Sequence, residues 1–194
     1  MQEEDVLAEF RASKALLEGH FLLSSGRHSA QYLQCARVLM DPERASRLAA
    51  ALAAKLPREL RKRIAKVVSP AMGGLIIGHE MGRALGVEAV FVERPEGTFE
   101  LRRGFTLEPG EEVLMVEDVV TTGLSSREAI FAVEAAGAKV IAEAALVDRS
   151  GGTVDLGMPF HPLVALNFPT YAPDEVPAAL AAIVAVKPGS RAKP

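Results

Sequence analysis

The stretch "VLMVEDVVTTGLSS" runs from Val113 to Ser126. Four apolar residues lead directly into two adjacent acids, Glu117 and Asp118. Val119 and Val120 follow, then Thr121, Thr122, Gly123, Leu124, Ser125 and Ser126. A short apolar run of this kind reads as a buried strand, and 125–136 has helical periodicity. Gly123 between them permits positive φ, so the backbone can curl its N–H groups into a nest. A helix N-terminus adds partial positive charge. With four hydroxyls nearby, the loop suits a phosphate monoester and needs no lysine. A plainer reading has Ser125 or Ser126 capping the helix, with Glu128 completing a capping box. The two readings are compatible.

Adjacent acids at a strand end repel one another and lose hydration, which argues against a purely packing role. Carboxylates accept hydrogen bonds from vicinal hydroxyls, such as those of a ribose. A phosphate bound a few residues further on would then be a 5-phosphate. The stretch is not a Walker loop, because the G-K-[ST] ending is missing.

Outward from this stretch the pattern is β-α-β-α-β. Strands are expected at 65–69, 88–92, 112–116, within 138–147 and at 163–167, with helices at 74–85 and 125–136. Such alternation implies an α/β fold with a mostly parallel sheet flanked by helices. Ligands bind beyond the C-terminal ends of such strands. Three segments lie there: 69–74, 117–125 and 148–152. Upstream, Val6, Leu7, Phe10, Leu16 and Leu17 form a helical stripe over 4–17. Residues 20–34 read as two short strands around a Ser-Gly turn. Asp41-Pro42 opens a helix, with Asp at the N-cap and Pro at N1. Residues 93–110 are a polar hairpin or mobile loop, and a helix is expected at about 177–185 before a basic tail.

The chain has 194 residues, 49% of them hydrophobic, enough for one domain with a sizeable core. A net charge of −3 with interspersed signs offers no nucleic-acid surface. No apolar run approaches the roughly 18 residues of a membrane span. The acidic opening "MQEEDVLAEF" is the wrong chemistry for a signal peptide. A single cysteine, Cys35, fits a reducing cytoplasm. The four histidines, His20, His28, His79 and His161, lack metal-ligand spacing.

The whole of 113–126 closely resembles the phosphoribosyl-diphosphate (PRPP) motif of type I phosphoribosyltransferases: apolar run, two acids, two apolar residues, then T-[TS]-G-x-[ST]. The resemblance implies transfer of a phosphoribosyl group from PRPP to a nitrogen base. It also implies Mg²⁺ as cofactor, held mainly through the diphosphate with no direct protein ligand. Other segments resemble the orotate phosphoribosyltransferase family. "FLLSSGRHSAQYL" (21–33) matches its N-terminal signature and "SPAMGG" (69–74) its diphosphate-binding turn. "FVERPEGTFELRRGFTLEPGE" (91–111) looks like its mobile catalytic loop, and "VDRSGG" (147–152) the segment whose arginine holds the orotate carboxylate. The similarity covers roughly residues 5–155, in the expected order.

On this resemblance, 1–194 is a single domain, with about 1–40 in a base-binding hood and 93–110 as the mobile loop. Glu117 and Asp118 would hold the ribose hydroxyls. Val119, Val120, Thr121, Thr122, Gly123, Leu124 and Ser125 would form the 5-phosphate loop. Ala71, Met72 and Gly73 would offer backbone to the diphosphate, and Arg94 would reach it from a neighbouring subunit. Arg149, Thr121 and Ser24 would contact orotate. Asp118, Arg102 and Arg103 are the candidate catalytic residues. The implied substrates are PRPP and orotate, in UMP biosynthesis, with a homodimer sharing loop 93–110 across its interface. Many family members have lysine where this chain has Ser24 and Gly73, and their loop carries lysines and a histidine. Here the loop's cations are arginines, which cannot readily donate a proton. The alternatives are a purine or xanthine salvage enzyme of the same fold and a non-catalytic PRPP-sensing regulator.

Overall fold

A computed structural model describes residues 1–23 and 25–187. The chain runs α1 (Glu3–Ala12), β1 (Leu16–Leu22), β2 (His28–Leu33), α2 (Cys35–Leu39), α3 (Pro42–Lys55) and α4 (Arg58–Arg63). It continues β3 (Lys66–Pro70), α5 (Gly74–Leu85), β4 (Glu88–Glu93), β5 (Glu100–Leu101), β6 (Glu112–Val120) and α6 (Leu124–Ala135). It ends β7 (Lys139–Asp148), β8 (Phe160–Ala165), β9 (Thr170–Tyr171) and α7 (Ala178–Ala181).

The main sheet has the order β5-β4-β3-β6-β7-β8, and every pairing except β4–β5 is parallel. Helices cover both faces, which is why β6 begins as an unbroken apolar run. Its alternate residues serve different cores. Leu114 and Val116 join the core beneath α1, α3 and α5. Val113 and Met115 join the one beneath α6, which also takes Phe99 and Leu107 from the 93–110 segment. That segment is a hairpin, with Val92 paired to Leu101 and Glu93 to Glu100.

The second sheet, β1-β2-β9, is antiparallel and forms the hood. Residues 1–40 supply two of its strands, and Thr170 and Tyr171 supply the third from a distant segment. Arg27 donates to the Thr170 hydroxyl at 2.9 Å and to its carbonyl at 2.7 Å. Leu22 N–H donates to Val186 O at 2.9 Å, and Val186 N–H to His20 O at 2.8 Å. His20 Nδ1 donates to Ile183 O at 2.8 Å, which leaves Nε2 to accept from His28 Nδ1 at 2.6 Å.

Several expected boundaries move. The N-terminal helix stops at Ala12, and Leu16 and Leu17 belong to β1. Lys14 takes positive φ (53°) between them, so one apolar stripe spans a helix and a strand. The last helix is only Ala178–Ala181, with Leu180 as its buried residue. The short helices α2 and α4 were not expected at all. The helix after Asp41 does begin as expected, because the Asp41 carboxylate accepts from Glu43 N at 3.0 Å and Arg44 N at 3.1 Å. The basic tail beyond Lys187 lies outside the described residues.

Candidate active site

The three segments expected at strand ends follow β3, β6 and β7, which are adjacent in the sheet. β6 runs past its apolar start and carries both acids, so the pleat turns them to opposite faces. Asp118 faces the turn before α5. A Cβ on Gly73 would stand 2.6 Å from Asp118 Oδ1. The absence of a side chain at 73 is therefore what lets this carboxylate lie against the 71–73 turn. The Ala71–Met72 peptide is cis. Ala71 N–H donates to Val92 O at 2.8 Å, tying the turn to the end of β4.

Glu117 faces α6. It is only 6% exposed, and burial, then Asp118, then Glu143 push its pKa up to about 9. The Ser125 hydroxyl and the Asp118 N–H pull the other way, but less. Asp118 is also raised by burial, against the pull of the Val119 N–H that donates to Oδ1 at 2.9 Å. The repulsion expected between the two acids is thus relieved by a proton on Glu117 at neutral pH.

The loop after β6 turns at Gly123, whose φ is +71°. A Cβ there would come within 2.6 Å of Val154 Cγ2 and 2.8 Å of Leu156 Cδ2, so only glycine fits on both counts. α6 starts at Leu124, with Gly123 at its N-cap and no side-chain cap. The expected serine capping box is therefore absent: both serines sit inside the first turn, two and three residues past the N-cap. Ser126 donates instead to Glu143 at 2.7 Å, and Glu128 pairs with Arg94. Thr121, Thr122, Leu124 and Ser125 stay exposed at the open helix end.

Arg149 N–H donates to Val120 O at 2.8 Å, which sets Arg149 directly beside Thr121. Its Nε is buried with no partner among the described residues. Burial lowers its pKa, although an arginine stays charged. The guanidinium lies 4.9 Å from the Phe168 ring centroid. A cleft of about 690 Å³ between hood and sheet is lined by Tyr32, Thr121, Thr122, Arg149, Asn167 and Phe168, among others. That size lies within the ~300–1,000 Å³ usual for small-molecule sites. Ser24, expected to touch the base, lies outside the described residues.

The loop cations are placed differently. Arg94 pairs with Glu128 of α6 and lies 4.1 Å from the Phe99 ring centroid. Arg103 pairs with Glu93 and Arg102 approaches the same carboxylate at 3.8 Å. Phe168, Tyr32, Asn167 and the Ser126–Glu143 pair were not singled out from the sequence. Glu143 had a visible signal, a lone acid inside the apolar run "VIAEAALV". Phe168 and Asn167 had none, since they reach the cleft only through the fold.

Residues 39–161 match the model of the phosphoribosyl transferase domain. The chain is 82% identical over 194 residues to the orotate phosphoribosyltransferase of Novosphingobium aromaticivorans, covering all of both chains. It is 76% identical over 192 residues to that of Sphingopyxis alaskensis, covering 98% of each. Among solved structures it resembles orotate phosphoribosyltransferase from Aeropyrum pernix, with a TM-score of 0.72 and 27% identity over 83% of this chain and 93% of that one. Motif order, strand-end geometry and end-to-end identity agree, and this chain belongs to the phosphoribosyltransferase family, in its orotate phosphoribosyltransferase branch.

Proposed function

We propose that the chain transfers the phosphoribosyl group of PRPP to orotate, giving orotidine 5′-phosphate and diphosphate, a step of UMP biosynthesis. The observation that carries the choice of base is Arg149. A half-buried guanidinium, its Nε without a partner among the described residues, on a cleft beside Thr121 suits a planar anion such as the orotate carboxylate. A purine brings no carboxylate and would leave that charge unpaired.

The 5-phosphate binds at Thr121 to Ser125, on the open N-terminus of α6. The ribose hydroxyls bind Glu117 and Asp118, and the diphosphate lies along Ala71 to Gly73. That turn has no cationic side chain, so the diphosphate charge is left for a metal and the loop arginines. Mg²⁺ fits this role, because it prefers substrate phosphates and water to an all-protein cage. When bound it would neutralise the leaving diphosphate. The chain's own residues hold the reacting centres together, and that positioning supplies much of the rate. Arg102 and Arg103 supply charge as the diphosphate departs. Hairpin 93–110 closes over the site and excludes water, which would otherwise hydrolyse PRPP. The functional unit is a homodimer in which Arg94 reaches the partner's diphosphate. The exposed Arg94–Glu128 pair is free to exchange in this way. No described helix is long and apolar enough to cross a membrane; the cytoplasm is the proposed location.

The test incubates the protein with PRPP, Mg²⁺ and orotate and follows loss of orotate absorbance beside a panel of purines. Turnover of a purine with none of orotate would move the chain to the salvage reading. Tight PRPP binding with no turnover of any base would leave the sensing reading.

A further inference from the structure

Glu143 sits in the middle of β7 with no exposed surface. Its Oε1 accepts from Ser126 Oγ at 2.7 Å, while Oε2 has no hydrogen-bond partner among the described residues. A bare carboxylate oxygen in such surroundings is costly to keep ionised. Burial raises its pKa to about 7. The groups around it offer no cation. β6 places Met115 abreast and Glu117 beyond it. α6 offers the Ser126 hydroxyl, while its Arg127 donates elsewhere, to Asp155 O at 3.1 Å and Thr122 O at 2.9 Å. β8 places Phe160 abreast, and His161 stands beside Ala144, on the other face. Glu143 N–H donates to Pro159 O at 3.0 Å. Glu143 also raises the pKa of Glu117, so the two carboxyls disfavour being ionised together.

We propose that Glu143 is a positioning residue that links occupation of the 5-phosphate loop to uptake of a proton, acting through Ser126 on the first turn of α6. The proposal rests on the reading of 121–125 as the phosphate site. Its physical basis is that both anions would meet the same first turn of α6, the phosphate at its open end and Glu143 through Ser126. Phosphate would bind at the open end of the turn, and Glu143 holds the turn from beneath. An ionised Glu143 repels the incoming phosphate across low-dielectric packing. A proton on Oε2 removes that charge and gives the bare oxygen a hydrogen. Oε1 still accepts from Ser126, so the turn keeps its anchor. The phosphate therefore binds best to the form in which Glu143 is neutral and Ser126 remains held.

Titration calorimetry with ribose 5-phosphate, run at pH 8 in two buffers of different ionisation enthalpy, counts the protons taken up. The wild-type chain should take up a sizeable fraction of one proton, and Glu143→Gln close to none. Between pH 7 and 9 wild-type affinity should fall about fivefold, the part of a one-unit coupling that falls in this window. In Glu143→Gln it should fall about twofold at most. Glu143→Leu removes both charge and anchor, and should bind more weakly than Glu143→Gln. Should it fail to fold, the glutamine variant still decides the matter. Equal proton counts in the wild type and Glu143→Gln overturn the proposal. Failure of the wild type to bind ribose 5-phosphate at all overturns the phosphate-site reading beneath it.

Discussion

The loop after β6 and the hairpin after β4 both border the proposed diphosphate position, yet they treat charge in opposite ways. In the first, carboxyls are buried and partly neutralised by protons, and a helix end and Thr121, Thr122 and Ser125 stay uncovered. In the second, Arg94, Arg102 and Arg103 are each already met by a carboxylate of their own chain. The first region is organised for a ligand before it arrives. The second has to give up contacts before its cations can serve. Burial makes the first rigid, and exposed ion pairs, each worth little in water, make the second easy to rearrange.

The sharpest way to break this comparison is Asp118→Asn. Loss of the carboxylate against Gly73 should cut kcat by about 1,000-fold, the upper range for removing one charge-positioning group. Circular dichroism should show the fold intact, and near-normal turnover would end the ribose-binding role. Arg149→Ala comes next, with kcat/KM for orotate reduced about 100-fold through loss of charge-assisted bonds to a desolvated anion. PRPP binding should hardly change, and an unaltered orotate rate would remove the base assignment. In the hairpin, Glu93→Gln frees Arg102 and Arg103 and should raise kcat/KM for PRPP about threefold at low salt, an advantage that fades as ionic strength rises. A fall in rate would mean that the paired state is the working one.

A thermal scan against pH sharpens the same contrast. Glu117 and Glu143 hold protons in the folded chain that the unfolded chain releases above their ordinary 4.5. Folding stability from these two groups is therefore full below that pH. It falls as pH rises through about 7 for Glu143 and about 9 for Glu117. A melting temperature that climbs from pH 5 to 9 would contradict the buried, protonated carboxyls. The smallest effect lies outside both regions. Asp41→Ala removes an N-cap and should lower the melting temperature by a few degrees with kcat unchanged.

The proposed phosphoribosyl site was legible because its parts are local. One strand, one turn and one helix start carry it, and the turn's glycine is forced by φ and by Val154 and Leu156. Strand and helix positions followed from periodicity to within a few residues. Serine capping misled because it depends on where a helix starts to within a single residue, which periodicity does not resolve. The proposed base pocket was less legible. Arg149 came from a motif, but Tyr32, Asn167 and Phe168 converge from distant segments with no spacing rule to join them. The ion pairs of Arg94 and Arg103 depend on a hairpin register that polar residues specify weakly.

The hood's closure has a consequence for how the protein is made. Residues 66–148, which build the phosphoribosyl half, are continuous in the chain, and their strands pair as soon as they are complete. The hood waits for Thr170 and Tyr171, then for Val186 to pair beside His20 and for Ile183 to accept from its ring. On the ribosome, then, the sugar-phosphate end of the cleft takes shape first. The proposed base end is closed only after residues 170–186 have been added.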